Sequence, residues 1–141
     1  MVLEQATRVR KEWSTICDSV MHERPQFIKR TRDKMCLFSL DTMTRILDVY
    51  KFHADQFKEE DGSVTVSLIE FDIVENGKDL QEARSRLARS MKEYAEEFYQ
   101  HYELYANAPN RREHVPYILK ILIMDDEKKL GEEISCRDGK N

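Results

Sequence analysis

The chain has 141 residues, enough for one sizeable hydrophobic core or two small ones. It is 40% hydrophobic and 35% charged, with four Gly and three Pro, which excludes a disordered chain and a turn-rich sandwich. The net charge of −4 speaks against a nucleic-acid binder, but it is unevenly spread: residues 1–40 hold eight Lys/Arg against five Asp/Glu, and residues 41–141 hold 15 against 22. A basic head can meet phosphates and an acidic body can meet a basic protein.

Thr7–Glu23 reads as a helix, because Val9, Trp13, Ile16, Cys17 and Val20 recur at helical spacing; Arg24-Pro25 ends it. Gln26–Lys29 and Met35–Phe38 are β-prone runs around the polar turn Thr31–Lys34 and predict a hairpin. Ser39 caps a second helix with Met43, Ile46, Leu47 and Tyr50 on one face. A new unit starts near Lys51. Phe52, Ala54 and Phe57 lie at roughly alternating positions, Asp61-Gly62 signals a turn, and Val64, Val66 and Leu68 alternate cleanly after it. A third short strand is expected around Phe71–Val74, before a turn at Asn76-Gly77.

Asp79 and Glu82 form a capping-box pattern that opens the longest helix, expected to run to about Glu103. Asn110 and Glu113, or alternatively Pro116, start a further helix through Met124. Asp125–Ile134 reads as a short last helix, and Ser135–Asn141 as frayed. The expected fold class is α+β: a small α-β-β-α unit over residues 1–50, then residues 51–141 with a β-hairpin, a long helix and C-terminal helices. A 50-residue unit is marginal alone, so a homodimer or higher homo-oligomer is expected to support it.

The cysteines, Cys17, Cys36 and Cys136, show no C-x-x-C pattern, and Cys17 and Cys36 are expected as buried reduced thiols. No run approaches the roughly 20 apolar residues of a membrane span, and Met1–Arg10 lacks the pattern of a secretory signal; a cytoplasmic protein without a membrane partner is expected. His22, His53, His101 and His114 are scattered without metal-ligand spacing, and no phosphate-cradling glycine motif exists. No catalytic residue, metal or cofactor is therefore expected, and the chain is read as a non-enzyme. Asp61, Glu70 and Asp72 are carboxylates near strand ends, and turn and linker roles account for Asp61 and Asp72.

Two resemblances are carried by motif spacing. Thr7-Arg8-Val9-Arg10, the stripe Trp13, Ile16 and Val20, Pro25–Arg30 and Met35–Leu40 resemble the Phd/YefM antitoxin domain over residues 7–50. The hairpin turn lacks that family's glycine and is one residue shorter, and the family's first strand is weak here. Asp61-Gly62, Val64–Val66, Glu70–Asp72 and Asp79–Ala83 resemble the HicB-like antitoxin domain, a reduced RNase-H-like hairpin and helix, over residues 52–99.

The resemblances imply an antitoxin with two partners, operator DNA and a cognate toxin, the latter an RNA-cleaving protein. Candidate DNA contacts are Thr7, Arg8, Arg10 and Lys11 on the first helix and Lys29, Arg30, Arg32 and Lys34 on the hairpin. Their other reading is a solvated basic face. Candidate partner contacts are Tyr99, Tyr102, Tyr105, Tyr117 and Ile121, which serve equally as internal packing. The rival functions are a stand-alone transcriptional regulator without a toxin and a degraded RNase-H-type enzyme.

Overall fold

The computed structural model describes residues 2–140, and the chain divides into two compact units, Met1–Ile46 and Leu47–Asn141. In the first, Glu4–Gln5 (β1) runs parallel to Gln26–Arg30 (β2), and β2 pairs antiparallel with Asp33–Leu37 (β3). The N-terminal strand expected to be weak is thus formed, at two residues. Thr31 and Arg32 alone turn the hairpin, since Arg30 pairs directly with Asp33. The turn is two residues tighter than the sequence pattern suggests, and Thr31 takes a left-handed φ of 55° to close it.

The first helix is two helices, Ala6–Lys11 (α1) and Trp13–His22 (α2), broken at Glu12. Val9 and Ile16 still face Ile28 and build a core of three buried residues. Trp13, expected on that stripe, is 53% exposed, because the break at Glu12 interrupts the helical phase just before it. Ser39 caps Leu40–Leu47 (α3), accepting the Thr42 amide at 3.1 Å. Cys17 and Cys36 are free thiols but only half-buried, and desolvation raises the Cys36 pKa.

The second unit is built on a four-stranded sheet ordered β6-β5-β4-β7. Phe52–Lys58 (β4) and Val64–Leu68 (β5) form the hairpin signalled by Asp61-Gly62, and Asp61 ties the turn by accepting the Ser63 amide and hydroxyl. Val74–Gly77 (β6) pairs antiparallel with β5, so Asn76 and Gly77 lie in a strand and not in a turn. Gly77 is required there by a close approach: a Cβ would stand 2.4 Å from the Ala83 amide nitrogen.

Leu80–Gln100 (α4) starts at Asp79, whose carboxylate accepts the Glu82 amide at 2.8 Å. It stops short of Glu103; after His101 the chain continues as Tyr102–Asn107 (α5). Val115–Ile123 (α6) follows a short 3-10 turn, with Pro116 in its first turn where the missing N–H costs nothing. Asp126 caps Glu127–Glu132 (α7).

The segment expected to fray is instead a strand. Ile134–Asp138 (β7) pairs parallel with β4; Ile134 is buried, and Arg137 binds Asp55 at 2.6 Å. The core lies between sheet and helices: Phe52, Ala54, Val66 and Leu68 meet Leu87, Met91 and Phe98 of α4 and Ile118 and Ile121 of α6. Lys120 is the buried cation of this unit. It donates to the Tyr50 carbonyl at 2.7 Å and lies 3.6 Å from Glu133.

Candidate functional site

The candidate DNA contacts all lie in the first unit. The register Gln5↔Lys29 sets the start of α1 level with the end of β2, so the helix start and the hairpin turn belong to the same end of the small sheet. Thr7, Arg10, Lys11, Arg30, Arg32 and Lys34 are exposed, and Lys29 is half-buried. Lys29 and Lys34 face each other across the hairpin, which like charges tolerate only beside an anion or open water.

Arg8 differs from the rest. Glu4 and Glu12, one turn to either side, both grip its guanidinium, and together they hold its pKa above the ordinary arginine value. A phosphate would have to displace two carboxylates from it. The other basic candidates form no ion pair among the described residues.

A second feature of this unit is apolar. Val9, Trp13, Ile28, Met35 and Leu37 line a groove of about 420 Å³ bordered by Arg10. Trp13 and Met35 are about half exposed. Three buried side chains are few for a self-standing unit of this size, and an open groove beside them marks apolar surface left to be covered.

The candidate partner contacts divide. Tyr99 is 63% exposed and Tyr102 39%, next to exposed Leu104. Tyr105 is half-buried, donates to Glu97 at 3.1 Å, and carries the Arg111 guanidinium 4.1 Å over its ring. Tyr117 packs edge-on against Tyr50 and Phe71. Ile121 is 1% exposed and belongs to the core, so it presents nothing to a partner. Ile118 is buried in the same core, and Leu122 packs against it.

Sequence reasoning missed a polar basin near α4. Tyr94 Oη lies 2.8 Å from His114 Nδ1, and the Phe71 ring lies tilted against the His114 ring with centroids 4.8 Å apart. Burial, with Arg111 nearby, lowers the His114 pKa, and burial raises that of Tyr94. Tyr94 was legible only as a stripe residue, and His114 as one of four scattered histidines. Glu70 is also committed internally: it accepts the His53 amide at 2.6 Å and contacts its ring at 3.0 Å. Among the described residues no three His, Cys, Asp or Glu side chains gather as a metal site, and no helix is long and apolar enough to cross a membrane.

Residues 1–136 match a family model described as PHD_like, antitoxin of toxin-antitoxin, RelE / RelB, TA system. No curated protein matches the sequence significantly. The fold is similar to the crystal structure of a Syntrophomonas wolfei subsp. wolfei protein described as an antitoxin part of a toxin/antitoxin system. That similarity has a TM-score of 0.92 and 33% identity, and covers 99% of this chain and 100% of that one. A single family match running through both units, joined to a structural likeness over the whole length, makes this chain a member of the PHD_like antitoxin family of toxin–antitoxin systems.

Proposed function

We propose that the antitoxin works through a division of labour between its units. The first, Phd/YefM-like, dimerises and binds operator DNA to repress its own gene pair. The second, HicB-like, binds and neutralises an RNA-cleaving toxin in the cytosol. The observation that carries the DNA half is the collection of exposed basic side chains without internal partners at one end of the small sheet, beside an apolar groove fit for a second copy. A symmetric pair of such surfaces suits a palindromic operator. The toxin half is supported by the family membership and by the acidic excess after residue 40.

The test uses the full chain and the product of the adjacent gene. The two are expected to co-purify in a stoichiometric complex, and the chain to relieve growth arrest caused by that product. The chain is also expected to shift its own promoter DNA, with affinity falling steeply as salt rises. Arg10→Ala and Arg30→Ala together are expected to weaken that shift about tenfold or more, since each phosphate contact is a separate electrostatic term. Parent-like binding by the double variant overturns the DNA half, and a chain that leaves the toxin free overturns the toxin half.

A further inference from the structure

The basin near α4 has a volume of about 530 Å³ and opens on the surface of the second unit. One face of α4 supplies Glu93, Tyr94 and Glu97 to it, at the spacing that stacks side chains over successive turns. The connection between β5 and β6 supplies Phe71 and Asp72, and the segment before α6 supplies Arg111 and His114.

Its charge is unbalanced. Three carboxylates face one guanidinium, and that guanidinium already lies against the Tyr105 ring, with the Tyr94 ring at 5.8 Å. Burial, with Arg111 nearby, holds the His114 pKa below the ordinary histidine value, which disfavours a positive charge there. Glu97 accepts the Tyr105 hydroxyl. Asp72 and Glu93 form no hydrogen bond or ion pair among the described residues, and both are exposed at the mouth. The wall behind them is aromatic, with Phe71 and Tyr94 meeting edge-on at 5.2 Å.

Free carboxylates over a concave aromatic wall are suited to a guanidinium or ammonium group, which they hold by charge-assisted hydrogen bonds while the rings cover its stem. The acidic excess of the second unit selects for a basic partner in the same sense. We propose that this basin is the socket for an arginine or lysine side chain of the toxin, with Asp72 and Glu93 as its ion-pair acceptors and the Phe71–Tyr94 wall as its lining. The proposal rests on the reading of the second unit as the toxin-binding one.

The test measures the affinity of the full chain for the toxin encoded by the adjacent gene, titrated calorimetrically at two salt concentrations. Asp72→Asn with Glu93→Gln keeps the shape of the mouth and removes both charges. The pair is expected to weaken binding by about tenfold to a hundredfold, of the order seen when charged interfacial contacts are lost, and to flatten the salt dependence. Glu93→Lys alone is expected to weaken it further by placing a like charge in the socket. Glu96→Gln, on α4 but outside the basin, is expected to leave affinity within about twofold, as a rim change does. Neither mouth carboxylate holds the fold together, so all variants are expected to melt with the parent. Parent-like affinity and salt dependence in the double variant overturn the socket and leave toxin binding standing. A parent chain that forms no toxin complex overturns the reading of the unit, and the socket with it.

Discussion

Thr31 carries the one left-handed φ outside glycine among the described residues, at 55°, and it does so on a β-branched side chain. A left-handed backbone costs an L-residue about 1–2 kcal/mol, and the two-residue turn between Arg30 and Asp33 imposes it. Glycine removes that cost but adds about 0.5–1 kcal/mol of unfolded-chain entropy. Thr31→Gly is therefore expected to stabilise the first unit by about 0.5–1 kcal/mol, read as a higher midpoint in urea unfolding followed by Trp13 fluorescence. An unchanged or lower midpoint would show that the turn is not strained. The sequence marked a turn here but offered no glycine to fix its length, which is why two residues read as four. Trp13, read on a core stripe, is exposed, and Ile121, read equally as a partner contact or as internal packing, is buried, for a related reason. A stripe pattern assumes one unbroken helix and cannot say which apolar residues find cover; the break at Glu12 turned Trp13 outward, and the sheet took in Ile121.

At the scale of elements, two strong local signals gave the elements they promised, whereas Asn76-Gly77, read as a turn, lies in β6. Asp61-Gly62 makes its hairpin and Asp79 caps its helix, since both of these depend on neighbours a few residues away. The C-terminal strand β7 was not legible, because its partner β4 lies about eighty residues earlier and its own five residues include two charged ones. Buried Ile134 and half-buried Cys136, two apart, were the available hint of a strand. The candidate basin was illegible for the same reason: Asp72, Glu93 and His114 meet only through tertiary structure.

Gly77 shows how closely two elements can depend on one residue. A Cβ there would press on backbone atoms of Glu82 and Ala83, in the first turn of α4, and backbone cannot step aside as a flexible side chain would. Gly77→Ala is expected to cost about 1–3 kcal/mol by forcing β6 and the start of α4 apart, measured as a fall in the urea midpoint of the second unit. Gly62→Ala probes a different constraint, since its Cβ would meet nothing and only its φ of 87° is at stake. An equal cost from Gly77→Ala and Gly62→Ala would argue that crowding at α4 is not the controlling effect.

At the scale of the whole molecule, the two units bury apolar surface very unequally. The second encloses fifteen buried residues in one cluster, whereas the first encloses three and leaves Trp13 and Met35 about half exposed on a groove. Hydrophobic burial is roughly proportional to area, so covering that groove would stabilise the first unit, and the proposed dimer would cover it with a second copy. Met35 is the position to test: it stands opposite Ile28 on the exposed edge strand β3, outside the three-residue core. Met35→Glu places a carboxylate in the groove and, in a symmetric pair, near its own counterpart. The parent is expected to sediment as a dimer at micromolar concentration, and Met35→Glu to raise the dimer dissociation constant by about tenfold or more, the scale of a desolvated charge at an interface. Operator affinity should fall with it, because two half-sites then no longer bind as one unit. Toxin affinity should not, since the socket residues all belong to the second unit. Parent and variant sedimenting alike, both as dimers or both as monomers, would take the groove out of the assembly; loss of toxin binding together with loss of the dimer would show that toxin capture needs a paired antitoxin.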